Sequence, residues 1–389
     1  MNLIFSKKKN TLLTTLLGIF LIAILMVIPT GYEDALIYQG TERATGKVIE
    51  VDNSMIKTSG LVQSGEQKCI LLIQNGFFKG EKIEGVNFLS GSLEKDKIYK
   101  IGDRALVTIS CDGDVIKSAI MSDHYRLDKE MILLAIFAVF LVAFAGRNGF
   151  QAILSFCITI LMIWKIMVPL YLKGYSPVWV GIVITALLTG IIIFFVYGVD
   201  KRTIAASLGA LLGIATTCVL GIFFTDLFKI HGAIMPNAES LLYSGYQHLD
   251  LTAIFMSSIF VGASGAMMDL SVDITSAIYE VVEKRPDISS VQAIKSGMNV
   301  GRAAMGTMTT TLLLAYSGGY ISLLMVFMAQ GTPIDHILNY KYVASEILDT
   351  VVGSFGLITV APFTAITAGV LLAKNKNVEK SSCPVSKWL

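Results

Sequence analysis

The chain has 389 residues, of which 54% are hydrophobic and only 15% charged, with a mean hydropathy of +0.67. That composition excludes an ordinary soluble globular protein and indicates a polytopic membrane protein. The formal net charge of +2 does not point to nucleic acid, because the basic residues follow the ends of apolar runs instead of gathering into a phosphate-binding patch.

The chain opens with Lys7, Lys8 and Lys9 and enters an apolar run over residues 11–28. The following Pro29-Thr30-Gly31-Tyr32 lacks a small-x-small cleavage pattern, so residues 1–31 read as a basic end and an uncleaved membrane anchor. Residues 32–128 differ in composition, with alternating apolar positions over 44–51, 68–73, 81–88, 105–111 and 115–121. Turns such as Asn75-Gly76 and Cys111-Asp112-Gly113-Asp114 separate them. Short strands at this density predict a small OB-like β-barrel. Cys69 and Cys111 share this domain, which allows a disulfide; two independent buried thiols are the alternative.

Apolar runs over 131–145, 150–172, 178–197, 203–225, 251–277, 303–328 and 343–372 follow. With the first run they predict about eight spans: a mainly α, polytopic helical bundle, with a seven-span membrane domain over 129–373 and a tail over 374–389. If the N-terminus is cytoplasmic, Arg147, Lys201, Arg202, Lys284, Arg285, Lys295, Arg302, Lys374 and Lys376 all fall inside, whereas the short outer loops hold only Lys173, Lys229 and Lys341. The expectation is a multi-pass cell-membrane protein with both termini cytoplasmic and residues 32–128 extracytoplasmic.

The fifth span carries Ala205, Gly209, Gly213, Thr217 and Gly221 at four-residue intervals, a small-residue ridge that lets a neighbouring helix approach closely. On the sixth, Gly262, Gly265, Asp269, Asp273, Ser276 and Glu280 follow steps of three and four and so share one helix face. A carboxylate at mid-bilayer costs roughly 2.5–3.5 kcal/mol, which favours a protein interior, a partner or water over lipid. The stripe reads as a polar lining with Asp269 the deeper acid; alternatively the helix leaves the bilayer near Asp273, and Asp273 and Glu280 are solvated. Arg302, at the cytoplasmic start of the seventh span, either pairs with Asp273 or Asp269 or snorkels to headgroups. Thr307, Thr309, Thr310 and Thr311 offer hydroxyls to their own helix or to a neighbour. Glu346 and Asp349, one turn apart on the eighth span, form either an outer vestibule or a wet helix end. The candidate polar path is therefore Asp269, Asp273, Arg302, Thr307, Thr311, Glu346 and Asp349.

His124, His231, His248 and His336 have no helical metal-site spacing, and His-Glu-x-x-His, Cys-x-x-Cys, phosphate-loop and dinucleotide motifs are missing from the sequence. No catalytic residue, metal or cofactor is expected, and the chain is read as a non-enzyme.

The runs Gly262-Ala-Ser-Gly265-Ala-Met-Met-Asp269-Leu-Ser-Val-Asp273-Ile-Thr-Ser276-Ala, Ser296-Gly297-Met-Asn299-Val-Gly301-Arg302 and Met305-Gly306-Thr307-Met308-Thr309-Thr310-Thr311-Leu-Leu-Leu-Ala-Tyr316 resemble the YibE/F family of polytopic membrane proteins. The resemblance extends to Gly76-Phe77-Phe78-Lys79-Gly80, Asn87, Ile101-Gly102-Asp103-Arg104, Tyr125-Arg126, Gly353, Gly356 and Pro362. In two places the chain departs from the family pattern: Ala303 stands where the family has an acid after the Gly-Arg pair, and Thr310 where it has Asn. If that acid couples ions in relatives, the resemblance implies altered coupling here. The expected role is transport of an ion or small solute along spans six to eight. The alternative is a non-transporting anchor or scaffold whose outer domain binds an envelope protein. The expected partners are the lipid bilayer, a small solute or ion, a membrane or envelope protein or a homo-oligomeric copy, and no nucleic acid.

Overall fold

A computed structural model describes residues 2–32, 40–113 and 115–373, with the side chains of the first helix described from Thr14 onward. Asp114 of the predicted turn, Lys374, Lys376 and the rest of the tail lie outside the described residues. The chain divides into two compact units, Gly31–Gly146 and Met1–Thr30 with Arg147–Leu389.

The smaller unit is built on β1 (Thr41–Asp52), β2 (Ile56–Ser59), β3 (Val62–Ile73), β4 (Lys82–Ser90), β5 (Arg104–Asp112) and β6 (Val115–His124). Buried and exposed positions alternate along β4, as the period of two requires for a strand with one face inward. Five strands close in the order β1-β5-β6-β4-β3-β1, antiparallel except for a single parallel contact, Val86 beside Ile120. This is the five-stranded Greek-key closure of an OB-like barrel. A register irregularity between Val48 and Glu50 bends β1, which pairs with β3 on one edge and β5 on the other. The short β2, absent from the sequence reading, only extends β3 as a hairpin.

Leu71, Ile73, Tyr99, Val107, Ile109 and Met121 fill the barrel. Gly85 leaves room where Leu71 crosses it, since a Cβ there would sit 2.5 Å from Leu71 Cδ1 and force that side chain to shift. Gln67 is fully buried: its Nε2 donates to Asn53 Oδ1 (2.9 Å) and Tyr99 O (3.0 Å), and its Oε1 accepts from Tyr99 N (2.9 Å) and Asn87 Nδ2 (3.1 Å). Four bonds leave its amide fully paired, which is what makes a buried glutamine tolerable.

Cys69 and Cys111 are free thiols, Cys69 buried and Cys111 half-buried against the same core. The disulfide considered from the sequence is not formed, because β3 and β5 are not neighbours. β1 separates them on one side, β4 and β6 on the other. Adjacency along a barrel wall, not membership of one domain, brings two Cβ atoms within bonding range.

The helices are α1 (Asn2–Val27), α2 (Leu127–Met162), α3 (Val168–Leu172), α4 (Pro177–Tyr197), α5 (Lys201–Leu227), α6 (Ala238–Tyr243), α7 (Leu251–Lys284), α8 (Ser290–Ser317), α9 (Ile321–Ala329), α10 (Ile334–Asn339) and α11 (Lys341–Leu372). Six runs among the described residues are long and apolar enough to cross a membrane, and Thr14–Val27 is a shorter apolar helix. Two changes separate this count from eight: the first run contributes only the shorter helix Thr14–Val27, and the runs over 131–145 and 150–172 form one 46-residue stretch, Leu127–Leu172. Gly146 interrupts it with φ 57° and ψ −122°.

Starts are set by capping: Asp200 accepts from Arg202 N at α5, Asp250 from Ala253 N at α7, and Ser289 with Gln292 forms a capping box at α8. The core of the helical unit joins α5, α7, α8 and α11. The α5 ridge is buried along its length, and a Cβ on Gly209 would lie 2.6 Å from Thr364 Cα of α11. Gly213 faces Val360 and the Gly356 carbonyl, and Gly356 faces the Thr217 and Met267 side chains, so α5 and α11 pack closely through glycine.

Candidate functional site

Glu346 and Asp349 follow one turn apart on α11, near the end of the helix that begins at Lys341. Both are half-buried, and Glu346 Oε1 and Asp349 Oδ1 are sealed from solvent with no hydrogen-bond partner among the described residues. Buried carboxylate oxygens are normally paired, so two such atoms one turn apart mark unused acceptor capacity.

Tyr316, from the last turn of α8, and Tyr320, just beyond it, lie within electrostatic reach of both acids. The Tyr316 hydroxyl crosses to α7, 2.9 Å from where a Cβ on Gly262 would stand, so glycine gives it room. One turn beyond Asp349, a Cβ on Gly353 would lie 3.2 Å from Ala263 Cβ of α7 and 3.8 Å from Leu312 Cδ1 of α8. The three helices thus converge on two carboxylates and two phenols. Such a set can accept a proton or coordinate a cation with oxygen ligands.

Residues 133–374, more than half of the chain, match the profile of the family described as YibE/F-like protein. The chain belongs to the YibE/F family. No curated protein and no solved structure matches. The region matched to YibE/F includes α7, α8 and α11, whereas the five barrel strands precede it.

The other residues of the predicted path have different surroundings within the YibE/F region. Gly262, Gly265, Asp269, Asp273, Ser276 and Glu280 share one face of α7, as their spacing requires, but that face is exposed; Met267, Leu270 and Ile274 on the other side enter the core. Arg302 is exposed too and joins no ion pair found among the described residues, so its pairing with Asp269 or Asp273 is not made. Thr307 and Thr311 are exposed and bond back to Ala304 O and Thr307 O, each at 3.0 Å. The YibE/F departures Ala303 and Thr310 are likewise exposed. Glu280 is exposed and pairs with Lys284 at 2.5 Å. The structure therefore joins Glu346 and Asp349 but does not bring Asp269, Asp273, Arg302, Thr307 and Thr311 to them.

Sequence reading included Tyr316 in the family-like run without giving it a site role and missed Tyr320; the signal for both is an aromatic hydroxyl at each end of the Ser317-Gly318-Gly319 break in an apolar run. It also missed a clasp among α4, α5 and α7. Tyr197 Oη lies 2.6 Å from both Val272 O and Ser276 Oγ, and Arg202 is stacked between the Tyr197 and Tyr279 rings at 4.9 and 4.2 Å while bonding Asp200 at 2.9 Å. Arg202 had been read only as a positive-inside charge.

Proposed function

We propose that this YibE/F protein is a non-enzymatic, transport-related membrane protein that passes an ion or small solute along a polar path on α7, α8 and α11. The observation that carries this reading is the pair of sealed, unpartnered carboxylate oxygens on Glu346 and Asp349. A structural acid in a span is normally paired, whereas a transport site keeps ligands available. The exposed polar α7 face, which Tyr316 reaches at Gly262, is proposed as a separate stretch of that path, with Asp269 and Asp273 toward the basic end of the helix.

The proposed topology has eight spans, both termini in the cytoplasm and the barrel outside the cell membrane. A straight 46-residue helix would be about 69 Å long, more than twice the ~30 Å hydrocarbon core. The break at Gly146, followed by Arg147, supports dividing that stretch into two spans.

A second reading, an anchor whose barrel binds an envelope protein, is favoured by one feature. A groove of about 250 Å³ beside the β2–β3 hairpin carries exposed Leu61 and Leu93, a surface suited to a partner.

The discriminating experiment is an ion-flux and solute-uptake screen on purified protein in liposomes, comparing wild type with Glu346→Gln, Asp349→Asn and Asp269→Asn. Flux in the wild type that falls to the empty-liposome level in the α11 variants supports transport. Equal flux in all four proteins, or none in any, favours the anchor.

A further inference from the structure

The barrel unit contains a second, larger cavity, about 600 Å³, where β6 leads into α2. Its charged lining alternates in sign: Arg104, Arg126 and Lys129 against Asp103, Asp128 and Glu130. Two of the basic groups are held in place. Arg104 stacks 4.5 Å over the Tyr125 ring, its Nε donates to Gln74 Oε1 at 2.8 Å and its Nη1 pairs with Asp128. Arg126 bonds Asp123 at 3.0 Å, a contact that holds the Asp123 carboxyl below the usual range. Lys129 and Glu130 are exposed and take part in no ion pair among the described residues.

The cavity therefore offers cationic donors and anionic acceptors a few ångströms apart, with nearly balanced charge. A simple anion would meet the three carboxylates and a simple cation the three basic groups; a zwitterion satisfies both. Arg104 keeps its Nη2 donors for a phosphate oxygen, and Lys129 adds a point charge. Asp103 and Glu130 suit an ammonium that donates hydrogen bonds. They do not suit a quaternary one, and the only aromatic face lining the cavity besides His124 is already covered by Arg104.

The last lining residue is Leu133, 70% exposed, and Ile136, Phe137 and Phe140 continue the exposed apolar surface along α2. A soluble amino acid or phosphate ester would leave that surface uncovered; acyl chains would cover it. We propose that this cavity binds the phosphoethanolamine headgroup of a phospholipid, with its acyl chains lying along α2. The inference rests on α2 entering the bilayer after Glu130 and is independent of what the helical unit transports.

The test uses the full-length protein in detergent and native mass spectrometry, with phosphatidylethanolamine, phosphatidylcholine or phosphatidylglycerol added at equal concentration. Phosphatidylethanolamine is expected to be retained in preference to the other two. Lys129→Gln should lower its retention about tenfold, the loss of one charge-assisted contact. Because Lys129 joins no ion pair among the described residues, that variant should melt as wild type does. Arg104→Gln should do the same, provided its melting curve matches wild type. Equal retention of the three lipids, or unchanged retention in Lys129→Gln, would overturn the proposal. Water-soluble glycerophosphoethanolamine binding as tightly as the lipid would overturn the lipid assignment in favour of a free solute.

Discussion

Replacing Asp349 by Asn separates a functional acid from a structural one, because the two roles predict opposite changes in stability. Asp349 Oδ1 and Glu346 Oε1 are both sealed without partners. Side chains at this spacing on a helix stand about 5–6 Å apart. Two ionised carboxylates at that distance repel by about 3 kcal/mol at an effective dielectric constant near 20. Asparagine keeps the shape, removes the repulsion and supplies an N–H₂ that Glu346 can accept from. The unfolding free energy at pH 8 should therefore rise by about 1–3 kcal/mol, the upper part of the range being reduced by water penetration. Flux in liposomes should fall to background, the usual exchange of stability for function at a site. Thermal unfolding of the detergent-purified protein, read beside the flux assay, measures both. A less stable Asp349→Asn protein would refute the reasoning, since it would mean that the carboxylate is bonded and structural.

Gly209→Ala should destabilise the helical unit by about 1–3 kcal/mol through overpacking against Thr364; Gly190→Ala, with open space at its Cβ, should be neutral or slightly stabilising in the same melt. Burial pushes the Cys69 thiol up to about 11, so at pH 8 it holds about a hundredfold less thiolate than an ordinary thiol. Maleimide should modify it slowly in the native protein, and a mass measurement without reductant should find both barrel thiols free. Gln67→Met strands the Tyr99 N–H and Asn87, at about 1–3 kcal/mol each; hydrogen exchange should rise through the barrel strands while α5, α7 and α11 stay protected. A reporter cysteine at Lys201 should resist an impermeant reagent in intact cells, while one at Lys117 reacts; the reverse pattern would invert the proposed topology.

What the sequence determined by itself is local. Hydropathy over windows of about 19 residues located the long apolar helices, and period-two alternation found all five barrel strands, though it caught only the second half of β3, because each pattern is set by one element meeting one environment. It missed β2, whose four residues carry too short an alternation to register. The four-residue recurrence of Ala205, Gly209, Gly213, Thr217 and Gly221 revealed a packing ridge but not its partner, which is α11.

Direction and partnership came only from tertiary structure. Spacing put Asp269 and Asp273 on one face of α7, but whether that face enters the bundle depends on which side of the helix best fits α5 and α11. Met267, Leu270 and Ile274 fill that contact, and the acids face away. Cys69 and Cys111 shared a domain in the sequence, yet barrel closure decides which strands are neighbours, and that is settled by pairings tens of residues apart. Glu346 and Asp349 looked like a wet helix end because nothing nearby in the chain covers them. Their burial arises where α11 meets helices contributed from distant parts of the chain, with Tyr316 and Tyr320 within electrostatic reach, and no local pattern encodes a contact made by a segment about 30 residues away.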